Sequence, residues 1–193
     1  MAVAPDGRLY LSWRQVLPGD FRHIAIASST HLGQTFTKPV IVSDDQWMLK
    51  GCPVSGPSMT VTGDGVLHVL WYSSGKNGET GVYSSESTDG GNSFERRTLV
   101  AKGETRGTPV LMNDGRILTA VWESAAGKIM TAPLGSHAQG QPDMIMIADG
   151  ELPAAVETPK SSITAYIAKD QQRQAVWIVT STNATSPRRE ETS

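Results

Sequence analysis

An all-β fold built from four-stranded antiparallel units is what this sequence of 193 residues predicts, and three observations carry the prediction. Glycine (19 residues) and proline (11) are spread along the whole chain, and both punctuate regular structure with turns. The runs between them alternate with the period of two that a half-buried strand requires, as in Arg8-Leu9-Tyr10-Leu11-Ser12-Trp13 and Val66-Leu67-His68-Val69-Leu70-Trp71. Two unrelated signatures then recur at a single offset. Asp6-Gly7 leads to Trp13 as Asp64-Gly65 leads to Trp71, and Ser29 to Phe36 aligns with Ser87 to Phe94, each pair 58 residues apart. A third Asp-Gly, at Asp114-Gly115, leads to Trp122.

Each repeat parses in the same order. A short apolar strand meets an Asp-Gly turn, which supplies the positive φ that a tight hairpin needs. A second strand runs to the tryptophan, a polar loop follows, and a third strand enters the serine-rich turn that leads to the fourth. Four antiparallel strands in roughly 50 residues make a β-propeller blade. The first blade (about 1–43) has strands near 8–13, 24–28 and 39–42, with a stub at 1–4 for its innermost strand. The second (56–101) is complete. The third (107–148) has strands near 108–112, 116–122, 129–133 and 144–147. The fourth (152–180) has strands near 153–156, 162–167 and 174–179, with Tyr166 in place of the tryptophan. Residues 181–193 are polar and aperiodic and are expected to form a disordered tail. This gives about 3.5 blades, expected to be the C-terminal part of a six-bladed ring. Open blade edges and an open channel wall lead us to expect self-association.

Composition narrows the function. A net charge of −2 lacks the basic footprint of a nucleic-acid binder, and no apolar run reaches the roughly 18 residues that span a bilayer. His23, His31, His68 and His137 are scattered and the single cysteine, Cys52, has no companion, so neither a metal nor another cofactor is expected. Cys52 reads as a buried, inert thiol.

The segment Ser87-Thr88-Asp89-Gly90-Gly91-Asn92-Ser93-Phe94 resembles the Asp-box, or bacterial neuraminidase repeat, of sialidases and sialidase-like propellers. Asp89, Gly91 and Phe94 stand at its defining positions beside Ser87. The earlier copy keeps Ser29, Gly33 and Phe36 but carries His31 for the aspartate. The stretch Trp47 to Pro57 also looks like the start of a blade in sialidase-like proteins. These residues read as a structural turn, and the resemblance implies that the turn lies opposite the active face. It further implies an exo-glycosidase acting on sialic acid or a related terminal sugar, and export to the periplasm or cell exterior. A non-catalytic glycan- or protein-binding propeller is the alternative.

Topology places the functional face where second-to-third strand loops and blade connections gather. Arg14, Arg22, Asp44, Asp45, Lys50 and Glu123 are expected on its glycan-binding surface, with Asp20, Lys76, Glu79 and Cys52 nearby. A sialidase needs arginines for the substrate carboxylate, a tyrosine nucleophile with a glutamate partner, and an acid–base aspartate. Arg106, Glu104, Tyr72 and Glu151 are the candidates for catalysis. The arginine motif that precedes the first Asp-box in the family is absent, as is an acid–base aspartate near the start. Missing upstream blades and a catalytically silent relative both account for this.

Overall fold

The computed structural model describes residues 1–51, 55–115, 117–134, 143–158, 161–170, 173–182 and 185–191. Among the described residues sixteen strands form four antiparallel sheets, each in simple sequence order. Blade one contains β1 (Ala2–Val3), β2 (Leu9–Leu17), β3 (Phe21–Ser29) and β4 (Val40–Ser43). Blade two contains β5 (Ser58–Val61), β6 (Leu67–Ser73), β7 (Gly81–Ser87) and β8 (Thr98–Lys102). Blade three contains β9 (Thr105–Asn113), β10 (Leu118–Ser124), β11 (Lys128–Leu134) and β12 (Ile145–Asp149). Blade four contains β13 (Glu151–Glu157), β14 (Ser161–Asp170), β15 (Arg173–Thr182) and β16 (Thr185–Glu191). Among the described residues no helix is long and apolar enough to cross a membrane.

The stub expected for the innermost strand of blade one is the two-residue strand β1, with Ala2 opposite Tyr10 and Val3 opposite Leu9. One expectation for blade four is corrected. The polar tail is not disordered over residues 185–191: β16 pairs with β15, with Thr180 opposite Arg188 and Trp177 opposite Glu191. An outermost strand bonds to one neighbour only, so it tolerates polar residues and a proline such as Pro187, which would break an inner strand. Each sheet therefore has four strands.

Blades pack face to face through three apolar layers. Tyr10, Ile24, Ile26 and Val42 of blade one meet Leu67, Val69 and Trp71 of blade two. Leu70, Val82 and Val100 of blade two meet Leu111, Ala120 and Trp122 of blade three. Met112, Val121 and Ile129 of blade three meet Tyr166, Ala168 and Val179 of blade four. The recurring aromatic thus plays the same part at every junction, with Trp71, Trp122 and Tyr166 each packed on the preceding blade.

The Asp-Gly turns hold Gly7, Gly65 and Gly115 at φ of 85°, 87° and 85°, a conformation that favours glycine. Between β7 and β8, Ser87 Oγ donates to Asp89 Oδ1 (2.8 Å) and accepts from the Gly91 N–H (2.9 Å). Asp89 also accepts from the Asn92 and Ser93 N–H groups and the Ser93 hydroxyl (3.0, 2.9 and 2.6 Å). In the turn between β3 and β4, Ser29 Oγ accepts from the His31 and Gly33 N–H groups (3.1 and 3.0 Å). Phe94 packs beneath its turn against the blade one–two core, whereas Phe36 is outside that core and 40% exposed. The hydroxyl and amide of Ser93, then Ser87, hold the Asp89 carboxyl at a pKa of about 2.

That depressed value predicts a pH signature. A carboxyl whose folded pKa lies below its unfolded value, about 3.9, contributes stability that is present above the unfolded pKa and lost as pH falls toward 2. Asp89→Asn should therefore lower the urea midpoint at neutral pH, and the gap from the parent should close between about pH 4 and pH 2. A gap that stays constant through that window would show that the charge of Asp89 does not support the turn.

Candidate functional site

Backbone hydrogen bonds gather the second-to-third strand loops and the blade connections at one end of the molecule. The Arg22 N–H donates to Trp47 O (2.8 Å), Leu49 N–H to Asp20 O (3.1 Å), Ala125 N–H to Glu104 O (3.0 Å) and Gly150 N–H to Gly127 O (2.9 Å). The Asp-Gly turns and the serine-rich turn meet at the opposite end, where Arg8 donates to Gly90 O (3.4 Å). That end holds a cavity of about 360 Å³ lined by Asp6, Arg8, Tyr10, Asp64 and Gly90.

At the loop end, the chain emerging from blade one folds back over β2 and β3. Arg14 donates through Nε to Ser55 O (2.9 Å) and through Nη2 to Tyr72 O (2.8 Å). Its guanidinium lies 4.6 Å from the centre of the Trp47 ring, and the Trp47 ring stands perpendicular to Tyr72 with centroids 5.5 Å apart. Buried Arg22 donates to Gly51 O (3.2 Å) and Phe21 O (3.3 Å), and half-exposed Asp20 lies 3.8 Å away. Arg14 Nη1 and Arg22 Nε are buried and make no hydrogen bond to a described residue. Burial, then the charge of Arg22, pulls the Arg14 pKa down to about 10. Burial raises the pKa of Tyr72, as does the charge of Glu104, while a hydrogen bond with Ser74 and the charge of Arg14 oppose the rise. The tyrosine is a neutral hydroxyl at ordinary pH.

Arg106 and Glu123 form a second group. They face each other across β9 and β10 beside a register shift, with Nη1 3.8 Å from Oε1. The Arg106 side chain is 61% exposed and that of Glu123 only 2%. Glu123 Oε2 accepts the N–H of Leu152 (2.9 Å), a residue held at a φ of 53°. Glu123 is therefore a buried tie between blades three and four, which corrects its expected place on the glycan-binding surface. Glu151, half-buried at the start of β13, precedes Leu152. Glu104 is exposed in the connection before β9.

Asp45 is likewise not a surface ligand. It is fully buried, accepting from Trp71 Nε1 (2.8 Å) and pairing with Arg97. Adjacent Asp44 stays exposed, 3.3 Å from His23 Nε2. The His23 pKa is pushed down by burial, with Asp44 opposing. Lys50 and Lys76 are exposed, Glu79 pairs with Lys102 (3.0 Å), and Cys52 lies outside the described residues. Trp47 and Arg97 are the residues that sequence reasoning missed. The available signal was a tryptophan standing outside the strand-end positions of Trp13, Trp71 and Trp122.

No protein-family model matches the chain, and no curated protein matches it. Solved structures do. A protein of unknown function from Dyadobacter fermentans matches with a TM-score of 0.64 at 14% identity, over 90% of this chain and 50% of its own. The Hadza microbial sialidase Hz136 matches with a TM-score of 0.60 at 13% identity, over 96% and 43%. The K499G mutant of NanB sialidase from Streptococcus pneumoniae matches with a TM-score of 0.63 at 11% identity, over 99% and 50%. The chain thus has a sialidase-propeller-like fold and spans about half the length of these structures. Identities this low establish the fold alone.

Proposed function

We propose that the loop end binds an acidic glycan, with a terminal sialic acid as the first candidate, in a sialidase-like exo-glycosidase. One observation carries the reading: Arg14 and Arg22 share one face of β2 and β3, each with a buried guanidinium nitrogen, Nη1 and Nε, that bonds to no described residue, while half-exposed Asp20 lies 3.8 Å from Arg22. A buried like-charge pair is destabilised until an anion arrives. A sugar carboxylate supplies that anion and accepts charge-assisted hydrogen bonds, worth about 1.5–3 kcal/mol each. Half-buried Trp47 and Tyr72 beside it offer apolar ring surface to a sugar. The fold shared with two sialidases supports the same reading.

In the catalytic form of this proposal, Tyr72 Oη attacks the anomeric carbon as the bond to the leaving oxygen breaks. Glu104 receives the phenolic proton and water protonates the leaving oxygen; the hydroxide so formed attacks the anomeric carbon of the tyrosyl intermediate, releasing the sugar and the Tyr72 phenolate, which regains its proton from Glu104. A neutral nucleophile avoids the repulsion that a carboxylate would meet from an anionic sugar. Arg106 and Glu151 serve here as flanking groups. The raised pKa of Tyr72 favours the alternative, binding without turnover.

Calorimetric titration with sialyllactose and with lactose separates these readings from a structural role for the arginines. The protein should bind sialyllactose and not lactose. Arg22→Lys, which keeps the charge but loses the planar fork, should weaken binding at least tenfold, about 1.4 kcal/mol. Equal binding of both sugars, or no effect of Arg22→Lys, would remove the proposal. Release of fluorophore from a fluorogenic sialoside, abolished by Tyr72→Phe, marks an enzyme; binding with no release marks a lectin-like propeller.

A further inference from the structure

A pocket of mixed charge lies at the end opposite the candidate sugar site, where three turns converge between blades one and two. The turn from β1 to β2 contributes Asp6 and Arg8, the turn from β5 to β6 contributes Asp64 between two glycines, and the serine-rich turn contributes Gly90. Tyr10, only 2% exposed, lines it from within. Glycines keep the space open. A Cβ on Gly63 or Gly65 would meet nothing within 4 Å, and a Cβ on Gly90 would stand 2.6 Å from Arg8 Nη1, where the guanidinium sits. The volume of about 360 Å³ falls among small-molecule sites, which begin at about 300 Å³.

The turn that carries Arg8 does not call for an arginine. Two residues after the aspartate of the Asp-Gly pair, blade one has Arg8 where blade two has Val66, yet Gly7 and Gly65 hold nearly the same φ, 85° and 87°. Nor is the guanidinium firmly held. Nη1 reaches Gly90 O at 3.4 Å, beyond the ordinary range of a hydrogen bond. Nε is buried and makes no hydrogen bond to a described residue, with Asp6 Oδ2 3.9 Å away. Asp6 Oδ1 accepts the Arg8 N–H (2.9 Å), and the Asp6 side chain stays 65% exposed. Asp64 is exposed as well, and hydrogen bonds from the Thr62 hydroxyl and the Val66 N–H hold its carboxyl below the usual range, so it is charged at neutral pH.

These charges select the ligand. An anion would meet two carboxylates, a simple cation would meet Arg8, and an apolar molecule would strand all three charged groups away from water. A molecule that carries both signs a few ångströms apart satisfies them together, and an α-amino acid has that form. Its carboxylate accepts from Arg8, its ammonium group donates to Asp6 across the stretched pair, and a cationic side chain reaches Asp64. The pocket carries one more negative than positive charge, and a basic amino acid carries one more positive than negative. We propose that this pocket is a binding site for a free basic α-amino acid, lysine or arginine. The inference is independent of what the loop end binds.

NMR titration of the isotope-labelled 193-residue chain with L-lysine tests it on the unaltered protein. The Arg8 Nε–H signal and the amide signals of Gly7, Gly65 and Gly90 should shift together and saturate, while the amide of Arg22 at the loop end stays still. Three analogues each lack one group: Nα-acetyl-lysine the ammonium, lysinamide the carboxylate and norleucine the side-chain cation. Each should bind at least about tenfold more weakly, the worth of one charge-assisted contact. Two variants address the pocket itself. Arg8→Val installs the residue that blade two carries, and Gly63→Leu fills the space while leaving every charge in place. Both should abolish the lysine response in a protein whose circular dichroism matches the parent, and the analogue series needs no substitution if either variant misfolds. No shift up to about 10 mM lysine would overturn the proposal. So would equal shifts from lysine and all three analogues, which mark loose ion pairing at exposed carboxylates, or a response that survives Gly63→Leu, which puts the ligand outside the pocket.

Discussion

Asp45→Ala should destabilise the protein by about 3–5 kcal/mol, because it strands a buried charge. Asp45 has no exposed surface, and its two carboxylate oxygens serve different partners: Oδ2 takes the indole N–H of fully buried Trp71, and Oδ1 pairs with Arg97. The Arg97 side chain is only 12% exposed and lies over the Tyr83 ring, 4.4 Å from its centre. Removing the carboxylate leaves that guanidinium without its buried counter-charge and the indole N–H without an acceptor. Two comparisons make the test specific. Asp45→Asn keeps an acceptor for Trp71 but not the charge, so most of the loss should persist. Arg97→Met placed on top of Asp45→Asn removes the orphaned cation and should recover part of it, since exchanging both members of a buried pair costs less than breaking it. Urea unfolding followed by tryptophan fluorescence reads all three. A loss below about 1 kcal/mol for Asp45→Ala would mean that water reaches Arg97 and that the pair is not the staple its burial indicates.

Sequence reasoning reached the blades because their signals are local. The interval from Asp-Gly to tryptophan fixes where a hairpin turns and which face the aromatic shares, and Gly7, Gly65 and Gly115 all adopt the positive φ it requires. What escaped depends on partners distant in the chain. Asp44 and Asp45 look alike as neighbouring acids in a polar connection, but successive side chains of an extended segment point opposite ways. One is 61% exposed beside His23 and the other is sealed against Trp71 and Arg97. Glu123 reads as a loop-edge acid until the register shift in β10 turns it inward onto the Leu152 N–H. The polar composition of residues 185–191 points to disorder, because hydrophobicity is a sound guide to inner strands and a poor one to an outer edge that bonds on one side only. For the candidate site, Arg14, Arg22 and Tyr72 were legible one by one. Their gathering around Trp47 was not, since the connection that carries Trp47 is placed by contacts with β3 and with the loop after β6.

That placement predicts a strong effect from a residue with no side chain at all. Gly75 sits in the loop between β6 and β7, and its φ lies outside the left-handed region, so space rather than backbone conformation makes it glycine. A Cβ there would collide with the Asp45 carbonyl oxygen and would stand 2.7 Å from the Asp45 carbonyl carbon and 2.8 Å from the Trp47 nitrogen. All three are backbone atoms, so no rotamer change relieves the contact. Gly75→Ala must push the connection away from the loop, against the Asn77 N–H that donates to Asp45 O (3.3 Å) and the Asn77 side chain that donates to Asp44 O (3.0 Å). Overpacking of this kind costs about 1–3 kcal/mol. Because the displaced segment carries both Asp45 and Trp47, the same change should loosen the Trp71–Asp45–Arg97 staple and move the ring against which Arg14 lies. Gly75→Ala should therefore lower the melting temperature and weaken sialyllactose binding together, although it touches neither arginine. Gly63→Ala is the matched control, since a Cβ there meets nothing within 4 Å, and it should leave both quantities unchanged. If Gly75→Ala lowers stability and spares binding, Trp47 plays no part in holding the sugar. If it spares both, the connection yields without cost and the fit between loop and connection does not position the site.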